Sequence, residues 1–320
     1  MTTAVLPAGY TVRSPVPADC QAIFALVSAY NTAVIGSADC TLADITNGIV
    51  DPGFEPRTDG WLVFDRDDVP VGYGTAFGKG HRDVTEIEVL SRDAMVAGWL
   101  FDRSLRRAAE MGREAGHAEV IVDSYVYRAD ASLRALLSEH EFSTGTTFNR
   151  MRIDHTEPVA APDVPAGYVV RRGMDDDQAR RIAHDVIIDC FRGQFGFVVR
   201  PHEEWLEARE AYANSSWSQF TLLELDGKAV AFRDCSDRDV EIENCGHIDG
   251  LGVVESARGR GLATYLLRDA FALDAAAGRA GTILHVDTNN PTPALHLYLS
   301  VGMRPTVVIE GWRRTMPATP

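Results

Sequence analysis

The stretch Asp249-Gly250-Leu251-Gly252-Val253-Val254-Glu255-Ser256-Ala257-Arg258-Gly259-Arg260-Gly261-Leu262-Ala263-Thr264 decides how this chain folds. Its first part reads as a strand, the glycines at 259 and 261 make a turn, and a helix follows at once. That helix is predicted over 262–277, because Leu262, Leu266, Ala270 and Leu273 recur on one face and Gly278 and Gly281 sit where its C-cap would fall. Peptide N–H groups at such a helix start converge on one point and carry the positive end of the helix dipole. Glycine there removes the Cβ atoms that would hold a phosphate off the backbone, and Arg258 and Arg260 can add charge. The product is a seat for a pyrophosphate. It is neither a Walker loop, which needs Gly-Lys-Ser/Thr, nor a GxGxxG loop with an acidic residue on the next strand.

Around this stretch, the second half of the chain reads as strand, helix, a long irregular stretch and a strand hairpin. The strand at 248–254, the turn and the helix follow, then a strand at 282–286, a helix at 294–301 and a last strand near Val307. Strands alternating with helices predict an α/β fold, a sheet with helices on both sides. The first half repeats the pattern. Pro7-Ala8-Gly9-Tyr10-Thr11-Val12-Arg13 is echoed by Pro165-Ala166-Gly167-Tyr168-Val169-Val170-Arg171, and each copy leads through a strand into a helical stretch. The hairpin around Asp65-Arg66-Asp67-Asp68 is matched in register by the one around Asp226-Gly227. A match that holds its spacing along the chain is what duplication of one unit leaves behind. Pro158, Pro162 and Pro165 mark the segment between the copies as a linker. The expected domains are 1–154 and 167–320, joined by a linker at 155–166.

Composition limits the partners. A net charge of −15 repels phosphates, which argues against nucleic acid and anionic membranes and favours a cationic substrate such as an amine. The five cysteines are odd in number and form no CxxC pair, so neither a disulfide framework nor a metal site is expected. The N-terminal residues lack the basic and apolar regions of a signal peptide, and no uninterrupted apolar run is long enough to cross a bilayer. The expected setting is the cytoplasm.

Two motifs carry a resemblance. Arg258-Gly259-Arg260-Gly261-Leu262-Ala263 resembles the R/Q-x-x-G-x-G/A motif of the GNAT family of acyl-coenzyme A-dependent N-acyltransferases. Downstream, 286–303 resembles that family's second signature, in which an asparagine precedes a tyrosine-bearing helix that ends at glycine and a large apolar residue. The tandem arrangement is similar to that of mycothiol synthase and other two-copy acetyltransferases. The resemblance implies two tandem GNAT-like domains, each a mixed, mostly antiparallel sheet flanked by helices, with acetyl-coenzyme A as co-substrate. It implies that the backbone of Leu251 and Val253 bonds the pantetheine arm, and that Gly259, Arg260, Gly261, Leu262, Ala263 and Thr264 hold the pyrophosphate with help from Arg258. It also implies that Asn290 contacts the pantetheine side and that Tyr298 protonates the departing thiolate. Pro293 stands where a small residue is usual, which a helix's first turn accepts.

Acylating an amine needs a base, acting directly or through water, because most amines are protonated at neutral pH. The family often places it on the strand leading into the phosphate loop, and the matching position is His247, with Asp249 two residues on. Glu243 is a third candidate, if the 244–246 stretch turns it inward. Asp175-Asp176-Asp177 reads as a helix N-cap, and 191–200 as cover for the substrate side.

In the first copy, Met95-Val96-Ala97-Gly98-Trp99-Leu100 falls against the phosphate loop and keeps only Gly98. That copy is expected to retain the fold, to have lost the cofactor and to serve as a built-in pseudo-dimer partner, in a monomer or weak homodimer. The expected reaction is direct transfer of an acetyl group to a small-molecule amine in the C-terminal copy. A non-catalytic acyl-coenzyme A sensor, a protein N-acetyltransferase and a longer acyl donor stay open.

Overall fold

A computed structural model describes residues 5–289 and 294–318. In its first half lie the strands β1 (Thr11–Arg13), β2 (Gly60–Phe64), β3 (Pro70–Lys79), β4 (Val84–Ser91), β5 (Glu119–Tyr127) and β6 (Ser143–Asp154). The helices there are α1 (Cys20–Ile35), α2 (Leu42–Val50), α3 (Pro56–Asp59), α4 (Ala94–Glu114) and α5 (Ala131–Glu139). The second half holds β7 (Tyr168–Arg172), β8 (Thr221–Leu225), β9 (Lys228–Ser236), β10 (Cys245–Val253), β11 (Gly281–Asp287) and β12 (Arg304–Pro317). Its helices are α6 (Asp177–Phe191), α7 (His202–Ala211), α8 (Val240–Glu243), α9 (Leu262–Ala276) and α10 (Ala294–Ser300). The stretch read as irregular between α6 and the hairpin thus contains α7.

Two compact units result, Met1–Thr147 with Ile309–Pro320, and Phe148–Val308. The first has strands in the order β1-β2-β3-β4-β5, closed by residues 309–317 of β12; only the β4–β5 pair is parallel. Side chains alternate across this sheet. Ile87 and Val89 face a cluster with Leu100, Phe101 and Trp312, while Leu90 faces a second with Ile23, Val27, Tyr30 and Tyr73. The segment Pro17–Ile35 is long and apolar enough to cross a membrane by length and composition, although no such run was expected. Its Ile23, Val27 and Tyr30 pack into that second cluster.

The second unit has the order β7-β8-β9-β10-β11, closed by residues 148–154 of β6; only β10–β11 is parallel. α6 packs through Ala183 and Val186 on the face of Leu222 and Phe232, and α9 packs through Leu262 and Leu266 on the opposite face, with Leu223 and Ala231. Leu273 is 46% exposed and stands outside the buried stripe read for this helix. The repeat is visible in the backbone. Tyr10 N–H bonds the Pro7 carbonyl, and Tyr168 N–H bonds the Pro165 carbonyl, each at 3.1 Å.

Unit and copy differ at their last strands. The sequence places 148–154 with the first copy and 309–317 with the second. In the fold, 148–154 pairs with β11 and 309–317 with β5. β5 and β11 would otherwise end their sheets with a row of unpaired backbone groups.

Candidate active site

β10 pairs with β9 down to Val253 but with β11 only from Cys245 to Ile248. Past Ile248 the two parallel strands diverge. The register with β9 shifts at the same place, leaving Asp249 as the extra residue of a bulge. Gly252 lets α6 close on this strand, since a Cβ there would lie 2.6 Å from the Cys190 Cβ atom. The fork opens a cleft of about 840 Å³, walled by β10, the end of α6, the loop before α9, β11 and α10.

Along the open edge of β10, backbone groups face the cleft. Val254 N–H bonds the Val230 carbonyl at 3.0 Å. Antiparallel pairs alternate, so Val253 and Leu251 turn their N–H and C=O away from β9. The Val253 carbonyl accepts a hydrogen bond from Arg258 Nε at 3.2 Å. An extended amide chain laid against this edge would be held as an added strand is.

The turn before α9 supplies the anion seat. Gly259 and Gly261 take φ of 75° and 77°, and a Cβ at either would meet nothing within 4 Å. Backbone conformation rather than crowding therefore selects glycine. Gly261 caps α9 without a side chain, and the first N–H bonded back into the helix is that of Tyr265, to the Gly261 carbonyl at 3.0 Å. From Gly259 to Thr264 the amides meet no protein acceptor among the described residues. Arg258, Gly259, Gly261, Leu262, Ala263 and Thr264 line the cleft. Arg260 does not: its guanidinium bonds the Ser256 carbonyl at 3.2 Å and reaches the Tyr168 hydroxyl at 3.5 Å. Asn290 lies outside the described residues.

Tyr298, on α10, lines the cleft while its ring packs with Leu284, Val286 and Met303. Burial pushes its hydroxyl up to about 12, so it stays a proton donor at neutral pH. No group hydrogen-bonds that hydroxyl among the described residues. Asp249 also lines the cleft, its side chain 40% exposed. His247 is buried behind it and is not part of the wall. Its Nδ1 lies 2.6 Å from Asp239 Oδ2, and its Nε2 lies 3.9 Å from Asp249 Oδ1. Burial works against the Asp239 charge, but the His247 hydrogen bond and the charges of His247 and Arg150 outweigh it and hold that carboxyl below its ordinary range. Asp239, His247 and Asp249 thus form a line from the interior to the cleft. Glu243 is turned to Arg150 and Arg152, which both bond its carboxylate; as a base it would first have to leave two cations.

Residues 184–303, which include almost the whole cleft wall, match the family model of the Acetyltransferase (GNAT) family. The chain carries a GNAT-family domain. The fold of the full length agrees with this. A GCN5-related N-acetyltransferase from Sphaerobacter thermophilus superposes with a TM-score of 0.78 at 22% identity, covering 99% of this chain and 98% of that one. A tandem GNAT protein from the clavulanic acid biosynthesis pathway gives 0.71 at 15% identity, covering 97% and 99%. Saccharomyces cerevisiae N-myristoyltransferase with bound myristoyl-CoA gives 0.62 at 11%, covering 98% and 79%. At such identities the likeness is one of fold, the two-domain GNAT fold. No curated protein matches the chain.

Sequence reading of the GNAT site missed Asp239 and His285. Asp239 heads α8, and the left-handed Asn244 (φ 50°) turns the chain back so that Asp239 meets His247. His285 lines the cleft from β11, its ring 5.5 Å from that of His247. Burial, with the nearby His247, Arg238 and Arg150 charges, lowers it to about 3, which leaves a neutral imidazole on the wall. In the first unit, the comparison of 95–100 with the phosphate loop needs correction. These residues lie inside α4, and the strand-to-helix turn is Arg92-Asp93. There the Asp93 carboxylate accepts from the N–H of Met95 at 2.8 Å and of Val96 at 3.3 Å. Amides that α9 leaves bare are already taken in α4, by a negative charge.

Proposed function

We propose that the chain is an acetyl-coenzyme A-dependent N-acetyltransferase for a small-molecule amine, with its active site in the second unit. The observation that carries this reading is convergence. Bare loop amides, the open edge of β10, the Tyr298 hydroxyl and the Asp249 carboxylate all border one cleft. The amides of Gly259 to Thr264 would hold the pyrophosphate, and those of Leu251 and Val253 the pantetheine arm. Bound acetyl-coenzyme A supplies an acetyl thioester.

The protein's own groups account for the proton traffic. An incoming ammonium loses a proton to Asp249, directly or through one water, and His247, oriented by Asp239, stands behind that carboxylate to steady its charge and share the proton. The neutral amine nitrogen then attacks the thioester carbonyl carbon. As the carbon–sulfur bond breaks, Tyr298 gives its proton to the sulfur, and the second proton, shed by the acylated nitrogen, restores the phenol. The Asp249 carboxylate, exposed to the cleft, also draws a cation in. On this reading the first unit is a GNAT fold whose nucleotide seat Asp93 has closed.

A thiol-release assay with acetyl-coenzyme A and a panel of primary amines tests the proposal. Release with some amine, lost in Asp249→Asn and Tyr298→Phe, is expected. Coenzyme A binding with no release from any amine would replace the enzyme with an acyl-coenzyme A sensor.

A further inference from the structure

Leu284 is the last residue of β11 paired with β10, opposite Ile248. The next residue on each strand, His285 and Asp249, therefore flanks the apex of the fork, and both line the cleft. Alternation along β11 sends Leu284 and Val286 to the side of Tyr298, where all three pack in one cluster. His285 takes the other side, with His247, whose ring lies 5.5 Å away. Asp249 joins them, its Oδ1 3.9 Å from His247 Nε2. The cleft thus has two chemical sides, an apolar one that carries the Tyr298 hydroxyl and a polar one that carries Asp249 and His285.

Charged groups near His285 are engaged elsewhere. Asp239 holds His247 Nδ1 at 2.6 Å, and Arg150, opposite His285 on β6, bonds Glu243. His285 itself makes no hydrogen bond among the described residues, and its ring is only partly buried, on the cleft wall. Burial first, and then the His247, Arg238 and Arg150 charges, keep that ring neutral near pH 7. A neutral imidazole carries one N–H and one bare ring nitrogen. Held neutral, it is no base for an ammonium, but it does not repel one either.

From this geometry we infer that His285 is the second anchor of the acceptor amine: its bare ring nitrogen accepts one N–H of the amine while Asp249, across the fork, takes the proton. The inference rests on the transferase reading above. Two anchors on different strands fix the nitrogen at the apex, on the polar side of the cleft, and leave the Tyr298 hydroxyl on the other side to meet the departing sulfur. The ring neither gains nor loses a proton; it aims the nitrogen.

Steady-state rates of the full chain with the fastest amine of the panel, in wild type, His285→Leu and His285→Gln, test this. His285→Leu keeps the bulk and removes the accepting nitrogen. Its kcat/KM for the amine should fall about 10- to 100-fold, mostly through a higher KM, because a hydrogen bond to a charged donor is lost. Coenzyme A affinity, by calorimetry, should stay as it was. His285→Gln, whose side-chain carbonyl can accept the same hydrogen bond, should recover most of the loss. The acid limb of the wild-type pH profile should survive in it, because the ring does not supply the base. His285→Ala serves if His285→Leu fails to fold. An unchanged kcat/KM for the amine, coenzyme A binding that weakens in step with it, or an acid limb lost in His285→Gln overturns the proposal. No thiol release by the wild type with any amine is a different failure, that of the transferase reading, and takes this proposal with it.

Discussion

On the proposed function, Tyr298 and Asp249 divide the work by environment. One is packed among apolar side chains and kept protonated; the other stands on a bulge in reach of water. Tyr298→Phe removes one oxygen and leaves the packing intact. Its kcat should fall by about 10²- to 10³-fold with little change in KM for acetyl-coenzyme A, since a general acid acts in the transition state. With its hydroxyl raised to about 12, the wild type should show no alkaline loss of rate from this group below about pH 10. Asp239→Asn takes the charged partner from His247 and should lower kcat about tenfold, chiefly by changing the pH profile, because second-row partners of a histidine set its orientation and basicity. An unchanged profile would make Asp239 a structural residue. Asp239 and His285 were hidden from sequence reading for a physical reason. Each reaches His247 through a left-handed turn or across a sheet, and neither leaves a local pattern.

At the scale of elements, the turn before α9 was legible because its chemistry belongs to consecutive backbone groups. Glycines at 259 and 261, followed by a helical stripe, state the conformation outright. Gly261→Val forces a β-branched residue to a φ of 77°, at a cost of about 1–2 kcal/mol. Acetyl-coenzyme A affinity should fall at least tenfold by titration calorimetry. α9 is also anchored to the sheet by an ion pair on the face that carries Leu262 and Leu266. Arg172 and Arg233 both bond Asp269, at 2.6 Å and 2.7 Å, and Asp269 and Arg233 are buried. Burial opposes the Asp269 charge, but the two arginines prevail and its carboxyl is lowered. A folded-state value below the unfolded one adds stability that is full above the unfolded pKa, near pH 4, and is lost as pH falls through the lower folded value. Asp269→Asn should destabilise the chain by about 3–5 kcal/mol at pH 7, because two guanidinium groups lose their counter-charge. Urea melts at pH 7 and pH 3 should show the gap between variant and wild type narrowing in acid. A constant gap would contradict the assignment.

For the whole molecule, duplication was legible from a repeated segment and a hairpin matched in register, and the two copies of the segment close with the same hydrogen bond at Tyr10 and Tyr168. The grouping of the last strands was not. Which strand covers the open side of β5 or β11 is settled by non-local pairing, and residues 148–154 and 309–317 read simply as strand in either place. The difference between the two units also lies in single groups. Gly261 leaves the amides of α9 bare, while Asp93 fills those of α4. On the proposed function, that contrast predicts one molecule of acetyl-coenzyme A per chain. Hydrogen exchange on the full chain, with and without coenzyme A, tests it most directly. Within the peptide spanning 258–265, the amides of Gly259 to Thr264 should exchange freely in the free protein and slow markedly on binding, while the peptide spanning 92–97 stays as it was. Protection at 92–97, or binding that leaves 258–265 unprotected, would contradict the account.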